Sequence, residues 1–167
     1  MSRPLDDLDI DLIELFSADP HVGVLGAARR LGVARGTVQA RLSRLEADGV
    51  VASWAPTVAP AALGYAVTAF LSLEIHQEAG HEPVADQLAA LPQVLEAHTT
   101  TGTGDLWVRC VARSNVDLQR VIDAVGSIDG VLRTSTVIAL ETQVAPRTGP
   151  LVRSARSPEP GPPRARP

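Results

Sequence analysis

The sequence predicts an α+β protein in two parts, and three observations carry that prediction. Residues 5–48 hold three short helical periodicities, the last two joined by a tight glycine-containing turn. Residues 67–140 switch repeatedly between an apolar period of two and one of 3.6. Finally, LPQVLEAHT (91–99) and IDGVLRTST (128–136) align without gaps, so two strands begin alike through Val94-Leu95 and Val131-Leu132. Together they predict an N-terminal helix-turn-helix (winged-helix-like) domain over 1–50 and a β linker over 51–65. A ferredoxin-like βαββαβ domain over 66–144 and a disordered tail over 145–167 complete the chain.

In LDDLDIDLIELFS (5–17), Leu5, Leu8, Leu12 and Leu15 form one helical stripe, widened by Ile13 and Phe16. Aspartates crowd its first turns, where the helix macrodipole favours them, and Asp19-Pro20 ends it. A second helix spans about 24–31, with Leu25, Ala28 and Leu31 as the expected buried side. Gly32 breaks it. The third runs from about Arg35 to Asp48, with Gly49 as its C′ residue. VVASWAPTV (50–58) reads as extended and APAALG (59–64) as a proline-initiated turn.

Beyond the linker, VTAFLSLEI places Val67, Ala69, Leu71, Leu73 and Ile75 on one face of a strand. A helix over 82–91 carries Val84, Leu88 and Leu91 on one side. VLEAHTTT and DLWVRCVA are two strands joined by GTG. Ser114 and Asp117 form a capping box for a helix bearing Leu118, Val121, Ile122 and Val125, and VLRTSTVIAL is the last strand. Two helices cover only one face of such a sheet. Phe70, Trp107, Val111, Ile138 and Leu140 then need another cover, so a dimer packed through this domain is expected.

The composition is globular, 45% hydrophobic and 20% charged, with no apolar run long enough for a membrane span and no signal-like start. Cys110, the sole cysteine, excludes an internal disulfide framework and alternates with Leu106 and Val108 as a buried small residue. A soluble cytoplasmic protein is expected. The net charge of −4 is unevenly placed. From His21 to Leu45 the only formal charges are Arg29, Arg30, Arg35, Arg41 and Arg44, whereas Asp6, Asp7, Asp9, Asp11, Glu14 and Asp19 precede them. The tail from Ala145 is arginine-rich, and that excess could add nonspecific phosphate attraction.

In the third helix Val38, Leu42 and Leu45 form the buried stripe. The opposite face holds Gly36, Ala40, Ser43 and Ala47, small residues that let a backbone approach a surface closely. Arg35, Thr37, Gln39, Arg41 and Arg44 flank it and are the candidate contacts to phosphates and base edges of double-stranded DNA in a major groove.

These residues also carry a family resemblance. LDDLD (5–9), Leu31-Gly32 and TVQARLSRLEADGVV (37–51), with Pro60 and Leu63-Gly64 in the linker, resemble the Lrp/AsnC (feast/famine) transcriptional regulators over residues 5–144. Ala34 departs from the family's frequent Ser or Thr helix cap. TGTGD (101–105) fails as a dinucleotide fingerprint because a strand follows it. By itself it is a hairpin turn. The resemblance adds a second role, an amino-acid effector pocket between subunits, and nominates Gly102, Thr103, Gly104 and Asp105 with Thr134 and Thr136. It also implies dimers that assemble further, commonly to octamers.

No cofactor, metal or catalytic set is read from the sequence: His21, His76, His81 and His98 lack ligand spacing, and no Ser-His-Asp group or carboxylate pair assembles. The expectation is a DNA-binding transcriptional regulator, not an enzyme. Two other readings fit the same architecture. One is an enzyme resembling siroheme decarboxylases, and the other is an amino-acid sensing module without DNA binding.

Overall fold

The computed structural model describes residues 4–76 and 80–156. They form two compact units, one built from the chain up to Pro56 together with the segment from Ala145, the other from Thr57–Val144.

The first unit holds α1 (Asp7–Ala18), α2 (Gly23–Leu31), α3 (Arg35–Ala47) and α6 (Gly149–Ser154). A full capping box starts α1: the Asp6 side chain accepts from the Asp9 N–H, and the Asp9 carboxylate accepts from the Asp6 N–H, both at 3.1 Å. Gly32 ends α2 in the left-handed region at φ 66°, with its N–H and that of Val33 returning to Ala28. That turn swings the chain into α3. Leu12, Ala27, Ala28, Val38 and Leu42 then pack together, with Leu8, Leu15, Phe16, Val24 and Leu31 around them. The stripe of α2 is therefore Val24, Ala27, Ala28 and Leu31. Leu25, expected inside, is 52% exposed, because the helical spacing closes without it.

Two expectations differ here. Residues 51–59 contain no strand, and the linker's regular element is a 3₁₀ turn at Pro60–Leu63. An extended segment becomes a strand only beside a partner backbone, and none pairs with it among the described residues. The tail, expected to be disordered, instead forms α6 on α1; residues 157–167 of that expectation lie outside the described residues.

The second unit is β1 (Val67–Ile75), α4 (His81–Ala89), β2 (Val94–Thr99), β3 (Leu106–Ala112), α5 (Asn115–Gly126) and β4 (Val131–Ala139). Its four strands pair antiparallel in the order β2-β3-β1-β4, the ferredoxin-like arrangement. Ala69, Leu71, Leu73 and Ile75 meet Val84 and Leu88 of α4 and Leu118, Val121 and Val125 of α5 in one core, which includes Leu106, Val108 and Cys110. Burial pushes the Cys110 thiol up to about 11, so it stays protonated and unreactive. Ser114 caps α5 by accepting from the Asp117 N–H, but Asp117 accepts from Arg113 rather than Ser114, so the expected reciprocal box is one-sided.

Both edge strands carry a bulge at the same point of the near-repeat. Leu95 is skipped in the β2–β3 register and Leu132 in the β1–β4 register. The bulge at Leu132 reverses the alternation of β4. Thr134, Thr136 and Ile138 therefore pair with Leu73, Leu71 and Ala69 and face the helices. Val137, 64% exposed, takes the place expected for Ile138 on the open face, and Leu140 lies past the strand end at 98% exposure. Bulges also deter edge-to-edge pairing.

Replacing Gly32 by Ala forces a side chain into the left-handed region with no steric clash to confuse the reading. The expected loss is about 1–2 kcal/mol, measured by urea denaturation of the helical unit.

Candidate nucleic-acid interface and effector pocket

The candidate interface is the outward face of α3. Val38, Leu42 and Leu45 are buried as expected, and Gly36, Thr37, Gln39, Ala40, Ser43 and Ala47 are exposed. Ala34 offers no side-chain cap. Thr37 N–H donates to the Ala34 carbonyl at 3.0 Å, so the amides of Arg35 and Gly36 are the ones left without an acceptor among the described residues at the positive end of the helix macrodipole, and the Arg35 side chain is exposed beside them. An uncapped start thus favours an approaching anion.

Arg41 and Arg44 are placed differently from the outward contacts expected of them. Asp9 is fully buried, and its carboxylate accepts from Arg41 Nη1 at 3.0 Å and from Arg44 Nη2. Asp6 accepts from the same Arg41 nitrogen. A buried carboxylate is costly unless paired and fully hydrogen-bonded, so the two arginines turn inward to α1. The hydrogen bond to Asp6, with that to Asp9, raises Arg41 above its ordinary value, and the Arg41 hydrogen bond holds Asp6 below the usual carboxylate range. Arg30 pairs with Asp19 at 2.9 Å. Arg29 and Arg35 are exposed and have no ion pair among the described residues. The sequence signal for the inward pairing was the matched i, i+3 spacing of Asp6/Asp9 and Arg41/Arg44.

The nominated effector residues split. Thr103 lines a pocket of about 200 Å3 with Ser72 and Glu74 of β1 and Arg133 and Ser135 of β4, on the sheet face away from the helices. Arg133 Nη1 lies 3.8 Å from Glu74 Oε1, so opposite charges stand side by side among three hydroxyls. Thr134 and Thr136 point to the other face because of the Leu132 bulge, and Thr134 Oγ1 is buried with no hydrogen-bond partner among the described residues. Asp105 is committed to the fold: its carboxylate accepts from the Ile75 N–H at 2.8 Å, and its own N–H donates to Leu73 at 2.8 Å. This seats the hairpin so close that a Cβ on Gly104 would fall 2.1 Å from Ser72 Oγ. Gly102, at φ 122°, supplies the turn. Period-two alternation could have found Ser72 and Glu74, which share the face of β1 opposite the apolar one, whereas Arg133 and Ser135 reach that face only through the bulge at Leu132.

The same open face carries Phe70 stacked on Trp107 at 4.9 Å, with His98 6.0 Å from Trp107. Beside them Glu96 accepts from Arg109 and lies 3.2 Å from His98 Nε2. His98 and Arg109 together hold the Glu96 carboxyl below its ordinary range. No helix among the described residues is long and apolar enough to cross a membrane.

Known proteins match both units. The family described as Lrp/AsnC ligand binding domain matches residues 67–148, and winged helix-turn-helix DNA-binding matches residues 5–52. The chain is 35% identical to the HTH-type transcriptional regulator FL11 of Pyrococcus furiosus, over 82% of this chain and 90% of that protein. Against the regulatory protein AsnC of Escherichia coli it is 27% identical, over 84% and 93% of the two chains. The solved structure of E. coli AsnC superposes with a TM-score of 0.80 at 26% identity, covering 87% of this chain and 99% of that one. A feast or famine regulatory protein from M. tuberculosis, complexed with L-methionine, superposes at 0.76 with 25% identity, over 86% and 97%.

Asp9→Ala is expected to cost the helical unit about 3 kcal/mol, because it strips two guanidiniums of their shared partner. Urea denaturation followed through Trp54 in a Trp107→Phe background reads it, and a loss below ~1 kcal/mol would mean surface-grade pairing. The Asp6 contribution runs with pH. A lowered carboxyl stabilises fully above its unfolded value of about 4 and fades as pH falls through the folded one. Arg41→Ala should flatten the acid limb of that profile.

Proposed function

The chain belongs to the Lrp/AsnC family of helix-turn-helix transcriptional regulators, and from that premise we propose how its own residues do the work. α3 lies in the major groove of double-stranded DNA. Arg35, Thr37 and Gln39 reach phosphates and base edges, while Arg29 of α2 meets the flanking backbone. Arg41 and Arg44 act by positioning: they lock α3 to α1 through Asp9 and so set which face is presented. The observation that carries this division is the buried Asp9 carboxylate with both guanidiniums on it.

The pocket of Ser72, Glu74, Thr103, Arg133 and Ser135 is the proposed effector site. Arg133 meets the carboxylate of an amino acid and Glu74 its ammonium group, a complementarity suited to a zwitterion. The L-methionine held by the M. tuberculosis relative supports the ligand class. A second copy of the chain covers the Phe70–Trp107 face. Because that face also carries the pocket, a seated partner borders the ligand, and binding there biases the spacing of the two DNA-reading helices. The protein is a cytoplasmic regulator rather than an enzyme.

DNA from upstream of the protein's own gene is the test substrate. Affinity should fall steeply with salt, and Arg29→Ala and Arg35→Ala should each lower the log–log slope by about 1. Unchanged slopes in both variants would overturn the assignment. For the pocket, a thermal-shift screen of the amino acids should give a stabilising ligand whose effect Arg133→Ala abolishes, and a shift that survives the substitution would move the site elsewhere.

A further inference from the structure

The outer face of α1 is acidic. Asp7, Asp11 and Glu14 follow one another at i, i+4 and i+7, away from the stripe that α1 gives to the helical core. Ile13, read from the sequence as part of that stripe, instead lines a cavity of about 400 Å3 with Ser17, Ala18, Thr148, Gly149 and Val152. The chain that leaves the sheet unit at Val144 therefore lays α6 on this face. Arg156 Nη2 reaches Asp11 at 2.5 Å and Glu14 at 3.4 Å, and Arg153 Nη1 stands 3.7 Å from Glu14. The hydrogen bond to Asp11 raises Arg156 above its ordinary value. Basic segment and acidic face are matched in charge, and a six-residue helix has little stability of its own.

We infer that residues 145–156 are a strap whose docking surface is the acidic face of α1, and that it gives the DNA-binding unit a second chain connection. With the strap seated, residues 57–144 run as an insertion between two segments of one folded unit. Without it, the linker after Trp54 is the sole tether. Two tethers restrict reorientation of the helix-turn-helix more than one does. The ion pairs are exposed, so they are individually weak and screened by salt. The strap is thus releasable, seated at low ionic strength and loosened at high.

Hydrogen exchange and limited proteolysis on the full-length chain test it. At low salt the amides of residues 151–155 should be protected. Arg153→Glu with Arg156→Glu should raise their exchange at least tenfold and speed cleavage within residues 51–58 several-fold. Adding Asp11→Arg and Glu14→Arg should restore both, since the charges are then exchanged rather than removed. Wild type brought to 1 M salt should behave like the first variant, which guards against a mutant that merely fails to fold. Random-coil exchange at 151–155 in the wild type, or indifference to charge reversal and salt, would overturn the docking. Faster exchange with unchanged linker cleavage would overturn the second tether.

Discussion

One buried carboxylate organises the helical unit. Asp9 caps the start of α1, where its side chain accepts from the Asp6 N–H, and lies wholly out of solvent. A charge in that position is tolerable only when every lone pair is answered, and the answers come from α3. Arg41 and Arg44 stand one turn apart and reach the carboxylate together, which fixes the rotation of α3 about its axis. Once that rotation is set, Gly36, Thr37, Gln39, Ala40 and Ser43 face outward. The surface proposed to read DNA is therefore a consequence of an ion pair on the opposite flank.

The sheet unit has a comparable anchor at the other scale. Asp105 holds the end of β1 by two hydrogen bonds, through its carboxylate to Ile75 and its N–H to Leu73, and Gly104 is glycine because Ser72 occupies the space a side chain would need. That seating brings Thr103 to Ser72, Glu74, Arg133 and Ser135. The Gly-x-Gly of the hairpin serves the pocket by positioning it rather than by lining it.

The helices, the strands and the family were legible from periodicity, turn residues and the TVQARLSRLEADGVV stretch, and Val38, Leu42, Leu45 and Cys110 are buried as read. The site was legible only in part. Thr103 stays at the pocket, whereas Thr134 and Thr136 leave it, because one skipped residue at Leu132 turns every later side chain of β4 to the other face. No single-strand pattern reveals a bulge. It exists only against the neighbouring register. Arg41 and Arg44 were misplaced for a related reason: a helical wheel ranks a flank by polarity and cannot see which acid of another helix will claim it. Leu25 and Ile13 show the same limit, since the choice among several apolar residues on a short helix is made by what packs against it.

By itself, the sequence determined α1–α5, the four strands of the sheet, their order and the chemistry available on each, because hydrophobic period, caps and glycine turns act within a few residues of one another; the expected linker strand and the unexpected α6 lay beyond that reach. It determined the kind of surface α3 offers, small residues flanked by arginine. Tertiary structure alone decided which arginines of α3 are claimed by an acid, because Asp6 and Asp9 lie more than thirty residues away along the chain. Tertiary structure also turned Glu74 and Arg133 into a charge pair across two strands and laid the C-terminal segment on α1. Pairing, register and docking are relations between distant segments, and only the folded chain brings their partners within reach.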